Sequence, residues 1–246
     1  MSAYAIFAKE LRAYFTSMRA YVVAAVFLVV SGYFFYTNLS FFVLMGGMDL
    51  PRGLWQYQFH DMRLMLLVVT AFLTMRLFAE ERRLGTLELI WTYPVSDVAL
   101  IIGKYAASLA VVTMLLGLTL LYPLAIMRLH PVAVGPLVAG YLGIFLLAAA
   151  FAAVGLWASS LTDSQVIAGI LSFGVLLLFW VLTWNQAAAS DWVIALLMPI
   201  SLFDRFYTFA RGAIDVRDVV FLLGFAVFFL GLTLFSLESR RWRGLR

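Results

Sequence analysis

The sequence predicts an all-α integral membrane protein. It has six transmembrane helices, an N-terminal amphipathic interfacial helix, a short cytoplasmic helix between the second and third spans, and an outer re-entrant helical segment. Three observations predict it. Hydrophobic residues make up 65% of the 246 and charged residues only 12%, whereas a soluble domain is about 45–50% apolar and about 25% charged. Mean hydropathy is +1.01, and a soluble fold of this length lacks the interior to hide so much apolar surface. The apolar residues fall in continuous runs of about 20, the length that crosses a bilayer as a helix. They lack the strict alternation of barrel strands.

The spans are expected at residues 20–42, 63–79, 98–127, 136–159, 165–184 and 219–237 of a single domain covering 1–246. The second is short and carries Arg76 near its end; the third carries Lys104 a turn or so inside and Pro123 near its far end. Both cations lie close enough to the inner surface for their stems to reach the headgroups. An even number of spans puts both termini on one side. With that side inside, Lys9, Arg12, Arg19, Arg76, Arg82, Arg83, Lys104, Arg240, Arg241, Arg243 and Arg246 are cytoplasmic, and Arg52, Arg63, Arg128, Arg205, Arg211 and Arg217 are outer. Basic residues accumulate on the cytoplasmic side, so both termini are expected there. The net charge of +4 is accounted for by this asymmetry, and no nucleic-acid partner is expected. Trp180, Trp184 and Trp192 gather at the outer end of the fifth span, as an interfacial belt would. No small-residue cleavage site follows the first apolar run, so that span is expected to be retained.

Residues 2–18 read as a helix in the headgroup plane. Tyr4, Phe7, Ala8, Leu11, Tyr14, Phe15 and Met18 recur at helical spacing, and Lys9, Glu10, Arg12 and Thr16 fall elsewhere on the wheel. Such a helix lies apolar face down, with its basic groups toward anionic lipid. Between the second and third spans, Glu80, Glu81, Arg82 and Arg83 close one helix. Leu84, Leu87 and Trp91 then form an apolar stripe with Glu88 beside it. Pro94 disfavours helix at Tyr93, and Ser96 is placed to N-cap the third span. An apolar stripe facing cytoplasm calls for a groove on a partner; the alternative is a solvated connector. Ser160, Thr162 and Asp163 form a tight inner turn. The run Trp192–Ile200, broken by Pro199, is too short to span and reads as re-entrant, with Phe203, Phe206, Tyr207 and Phe209 at the headgroups. The fourth span holds Gly140, Gly143, Ala148, Ala149, Ala150, Ala152, Ala153 and Gly155. Small residues of this kind let helices approach closely, placing the span inside the bundle.

Several kinds of chemistry are missing. There is no cysteine, and the two histidines, His60 and His130, are far apart. No G-x-x-x-x-G-K-[ST], H-E-x-x-H or G-x-S-x-G string occurs, so no nucleotide cradle, zincin site or nucleophile elbow is expected. The deep parts of the expected spans lack Asp and Glu, whereas ion-coupled carriers mark their pathways with such groups. The halves show no internal repeat of the carrier type. The chain is therefore expected to be no enzyme and to bind no cofactor. If it moves something, the energy comes from elsewhere.

The string F-A-E-E-R-R-L-G-T-L-E-L from Phe78, then P-V-S-D from Pro94 and I-I-G-K-Y from Ile101, resembles the signature of ABC-2 type ABC transporter permeases. It is similar in particular to the gliding-motility Gld-type permease subunits. The opening I-F-A-K-E-L-R-A-Y-F-T-S-M-R-A-Y-V-V from Ile6 resembles that group's interfacial N-terminus. The resemblance implies a permease of the bacterial cytoplasmic (inner) membrane that acts as a dimer with a second copy of itself. It also implies docking on a separate ABC ATPase subunit, in two copies. The segment between spans two and three is then the coupling helix, about 85–92. Glu80, Glu81, Arg82, Arg83, Gly85, Leu87, Glu88 and Trp91 are its partner-binding residues. The outer re-entrant segment would cover about 191–214. A large auxiliary membrane-anchored subunit is implied as a further partner, and the cargo is left open. The alternative is a non-transporting anchor, a force-transmitting scaffold of an ABC-type envelope complex.

Overall fold

The computed structural model describes residues 2–44, 50–88, 95–129, 132–184 and 201–243. Ser2 caps the first helix, α1 (Ala3–Thr16), by accepting the Ala5 N–H, and a single extended residue, Ser17, separates it from α2 (Met18–Leu44). Next come α3 (Leu50–Thr74) and the five-residue α4 (Ala79–Arg83), joined by a turn at 75–78. Helix α5 (Asp97–Thr119) starts at the expected cap, with Ser96 Oγ accepting the Ala99 N–H at 3.2 Å. It stops four residues before Pro123, where the ring meets the carbonyl of residue i−4 and no N–H is available to bond it. The path continues as α6 (Leu121–Met127). Helix α7 (Val134–Leu161) carries Pro136 in its first turn, where a missing N–H is tolerated. The last helices are α8 (Gln165–Trp184), α9 (Leu202–Ala210) and α10 (Val216–Arg243).

Among the described residues, five helices are long and apolar enough to cross a membrane: Ala20–Leu44, Gly53–Arg83, Asp97–Met127, Val134–Leu161 and Val216–Ser239. Gln165–Val181 is a shorter apolar helix. The second differs from the expected start at residue 63, because α3 begins at Leu50. Polar residues before position 63 find partners inside the protein. Gln58 Nε2 donates to the Ser31 carbonyl and hydroxyl at 3.4 Å, and Asn38 Nδ2 donates to Asp61 Oδ2 at 2.8 Å. Polar groups paired in this way no longer need water. Asp61 therefore lies within a candidate span, outside the expected bounds of 63–79.

Helix α7 forms the axis of the bundle, packed by α3, α5, α8, α9 and α10. Its small residues set how near the neighbours come. A methyl group at Gly140 would overlap the Phe59 ring of α3, one at Gly143 would overlap Phe209 of α9, and one at Gly155 would overlap Thr74 of α3. The small-residue face is thus used within the chain. Helix α9 also corrects an expectation: Phe203, Phe206 and Phe209 are buried in the core, and only Tyr207 of that aromatic set is exposed. The stretch 191–200 of the expected re-entrant segment, with Trp192, lies outside the described residues.

The close approaches predict a graded response to added methyl groups. Gly140→Ala and Gly155→Ala should each lower stability by about 1–3 kcal/mol, the usual effect of overpacking. Gly224→Ala, with nothing near its Cβ position, should be neutral or slightly stabilising. Thermal unfolding of the detergent-solubilised variants measures the difference.

Candidate functional site

The segment after α3 is held by hydroxyl and charge contacts from three other helices. At the turn 75–78, helical hydrogen bonding lapses and leaves backbone groups to be satisfied. Ser159 of α7 serves them with one hydroxyl. Its Oγ accepts from the Phe78 N–H at 2.9 Å and the Ala79 N–H at 3.0 Å, and donates to the Met75 carbonyl at 3.0 Å. One residue on, the Ser160 carbonyl accepts Arg82 Nη1 at 2.7 Å and Ser236 Oγ of α10 at 3.4 Å.

Glu81 points the other way, into a group of four charges. Its Oε1 meets Lys9 Nζ of α1 at 3.2 Å and Lys104 Nζ of α5 at 2.9 Å, and Lys104 Nζ reaches Glu10 Oε1 of α1 at 2.7 Å. Lys104 is fully buried, with Nζ 5.3 Å from the centroid of the Phe78 ring. The four formal charges cancel, which is how a buried ammonium is tolerated. The expectation that Lys104 reaches the headgroups is therefore corrected. Helix α1 lies across α5 and closes that route. Gly103 permits the approach, since a Cβ there would stand 2.8 Å from the Ala3 carbonyl oxygen and from Ile6.

Helix α1 turns only part of its expected apolar face to the protein, with Phe7 and Leu11 packed against the core beside Tyr14. Ile6, Glu10 and Tyr14 are buried, while Tyr4 and Phe15 are exposed. Tyr14 donates its hydroxyl to the Leu73 carbonyl at 2.6 Å, and the Arg76 guanidinium lies 4.2 Å from the centroid of its ring. Burial raises the pKa of the Tyr14 phenol, with Arg76 acting in the opposite direction.

The predicted partner-binding residues divide into two groups. Arg83, Gly85 and Glu88 are exposed, and so is Leu84, at 62%. Glu80 is half-buried, and Glu81 and Arg82 are taken up by the contacts above. Leu87 is only 4% exposed and belongs to the chain's own core, a correction to its place on an outward stripe. The reason is Gly85, whose φ of 68° breaks the helical phase on which that stripe depended. Trp91 lies outside the described residues. Lys9, Glu10, Ser159 and Ser160 were not legible as members of the site. The available signal was Lys104, a lone cation in an apolar helix that has no carboxylate beyond its first turn.

A bundle of apolar helices longer than a bilayer is thick, organised round one small-residue helix, defines a multi-pass membrane protein. A family model described as ABC-2 family transporter protein matches residues 56–235, and the chain belongs to that family, the membrane component of ABC transporters. Such components are not themselves catalytic and work in general with an ABC ATPase. The matched stretch contains Glu81 and Lys104 but not Lys9 and Glu10. Comparison with curated proteins gives no match.

The charge cluster predicts strong asymmetry between removing one member and removing several. Lys104→Met leaves Glu10 and Glu81 without their common cation and should destabilise by about 3–5 kcal/mol. Combining it with Glu10→Gln and Glu81→Gln should recover much of that loss. Unfolding midpoints in detergent of the unaltered protein, the single variant and the triple variant report it.

Proposed function

We propose that this chain is the permease subunit of a bacterial ABC transporter in the cytoplasmic membrane, with both termini cytoplasmic. Two copies would form the pathway, and a separate ABC ATPase, also in two copies, would bind beneath. The observation that carries this reading is the α4 segment. It presents Arg83, Leu84, Gly85 and Glu88 to the surface. From behind, it is tied to α7 and α10 through Ser159 and Ser160, and to α1 and α5 through Glu81. A push on the exposed residues then reaches four helices through short polar contacts. The cluster Glu81–Lys104–Glu10 is the route by which α1 takes part.

The dimer would not use the small-residue face of α7, which the chain occupies itself. That tight axis also favours a pathway between copies over one down the centre of a single chain. The same tightness favours a second reading, in which the chain is a force-transmitting scaffold of an envelope complex and needs no pathway. Membership of the gliding-motility Gld-type subgroup, with a large auxiliary membrane-anchored subunit, belongs to the same proposal.

Two measurements test it. Leu84→Asp should weaken recovery of the ATPase in co-purification by about thirtyfold, corresponding to loss of an anchor of about 2 kcal/mol, with the bundle unaffected because Leu84 is exposed. Leu87→Ala should do the reverse, lowering stability by about 2–5 kcal/mol as a core truncation does. Full recovery of the ATPase with Leu84→Asp and Arg83→Glu defeats the docking assignment. For orientation, reporter fusions after residues 190 and 246 should report opposite sides of the membrane, and equal signals would overturn the topology.

A further inference from the structure

Far from the Lys104 cluster there is a second polar place in the bundle. Arg63 lies about three helical turns before the end of α3 at Thr74, and Glu81 lies beyond the turn that follows. At Arg63, helices α3, α8 and α9 surround a half-open cavity of about 480 Å³, lined by His60, Arg63, Leu64, Trp180, Phe203, Asp204 and Tyr207. Arg63 is 9% exposed. Its Nη2 donates to His60 Nε2 and its guanidinium lies 5.1 Å from the centroid of the Phe203 ring, but its Nε has no hydrogen-bond acceptor. A buried guanidinium with an unused donor is matched by an oxyanion, which accepts from the planar fork. The same cavity holds the Asp204 carboxylate, which also attracts Arg63, and the Trp180 ring, a group that attracts a cation; the Tyr207 ring already faces the Arg211 guanidinium at 4.2 Å. A purely anionic ligand would be repelled by Asp204, and a purely cationic one by Arg63.

One flank of the cavity is apolar and open. From Leu64 the exposed stripe on α3 continues at Val68 and Phe72. Residues 64, 68 and 72 follow one helical face at four-residue spacing. This gives a track for a hydrocarbon chain that begins at the charged cavity.

We propose that the cavity holds the headgroup of a zwitterionic phospholipid, with one acyl chain along Leu64, Val68 and Phe72. Arg63 and His60 take the phosphate, and Asp204 with the Trp180 ring takes the ammonium. The site is independent of ATPase docking, so it stands or falls separately from the transport reading.

The test is native mass spectrometry of the whole chain in detergent, with phosphatidylethanolamine, phosphatidylglycerol and diacylglycerol of matched acyl chains. Phosphatidylethanolamine should be retained at least tenfold better than diacylglycerol. That difference should vanish in Arg63→Gln and persist in Arg217→Gln, which changes an exposed arginine outside the cavity. Asp204→Asn should fold and lose the preference for phosphatidylethanolamine over phosphatidylglycerol. Equal retention of phosphatidylethanolamine and diacylglycerol by the unaltered protein overturns the proposal. So does a lipid preference indifferent to both Arg63→Gln and Asp204→Asn. If Arg63→Gln does not fold, the comparison in the unaltered protein and in Asp204→Asn decides. Free phosphoethanolamine is the last probe. Thermal stabilisation by it alone, without lipid retention, would assign the cavity to a soluble ligand and overturn the lipid proposal.

Discussion

A single ammonium group imposes the arrangement of one end of this bundle. Lys104 lies in a helix with no acid of its own beyond the first turn, and it is fully buried. An isolated charge in such a place is prohibitively unfavourable, so its helix must be met by carboxylates. They come from opposite directions in the chain, Glu10 from α1 and Glu81 from α4. Bringing them in requires α1 to lie close against α5, which Gly103 permits. It also requires the chain to leave α3 and restart as α4, which Ser159 permits by satisfying the backbone at the turn. Buried ion pairs add little net stability against an apolar replacement. Their value here is geometric, because only one placement of α1 and α4 neutralises the lysine.

The rest of the bundle follows from close packing round α7. Lipid supplies no hydrophobic drive between helices, so association depends on how many van der Waals contacts the backbones allow. Gly140, Gly143 and Gly155 let Phe59, Phe209 and Thr74 into spaces that a Cβ would fill. The last turn of the same helix carries Ser159 and Ser160, so the element that sets the packing also anchors the surface segment. A displacement of α4 is therefore a displacement against the bundle's axis.

The polar groups are divided between two distant places, and both are built by α3. Toward its end it leads to Arg76, stacked on Tyr14, and then to Glu81. In its first half it carries Gln58, His60, Asp61 and Arg63, each held by a neighbour. Reading α3 as a short span beginning at residue 63 separates these groups from the membrane, whereas a helix from Leu50 places them within the protein. The difference is not one of helix propensity. Hydropathy registers each polar side chain at its full desolvation penalty, and Ser31 and Asn38 of α2 remove much of that penalty.

The sequence by itself determined what depends on composition and local order. The all-helical membrane class follows from the apolar fraction and run length. The start of α5 follows from Ser96, whose hydroxyl needs only the N–H three residues on. The interior place of α7 follows from its glycines and alanines. The signature from Phe78 to Tyr105 was legible as that of ABC-2 permeases, and the family match agrees. Only the tertiary structure decided the pairing of Lys104 with Glu10 and Glu81, because 94 and 23 residues of separation leave no local trace of the contact. It also decided that Leu87 turns inward, since a left-handed residue at Gly85 resets the helical phase and periodicity cannot be carried across it. The aromatic residues of α9 were read as interfacial for a different reason. A sequence states that a ring is apolar, but whether lipid headgroups or Gly143 of another helix receive it depends on which backbones can approach.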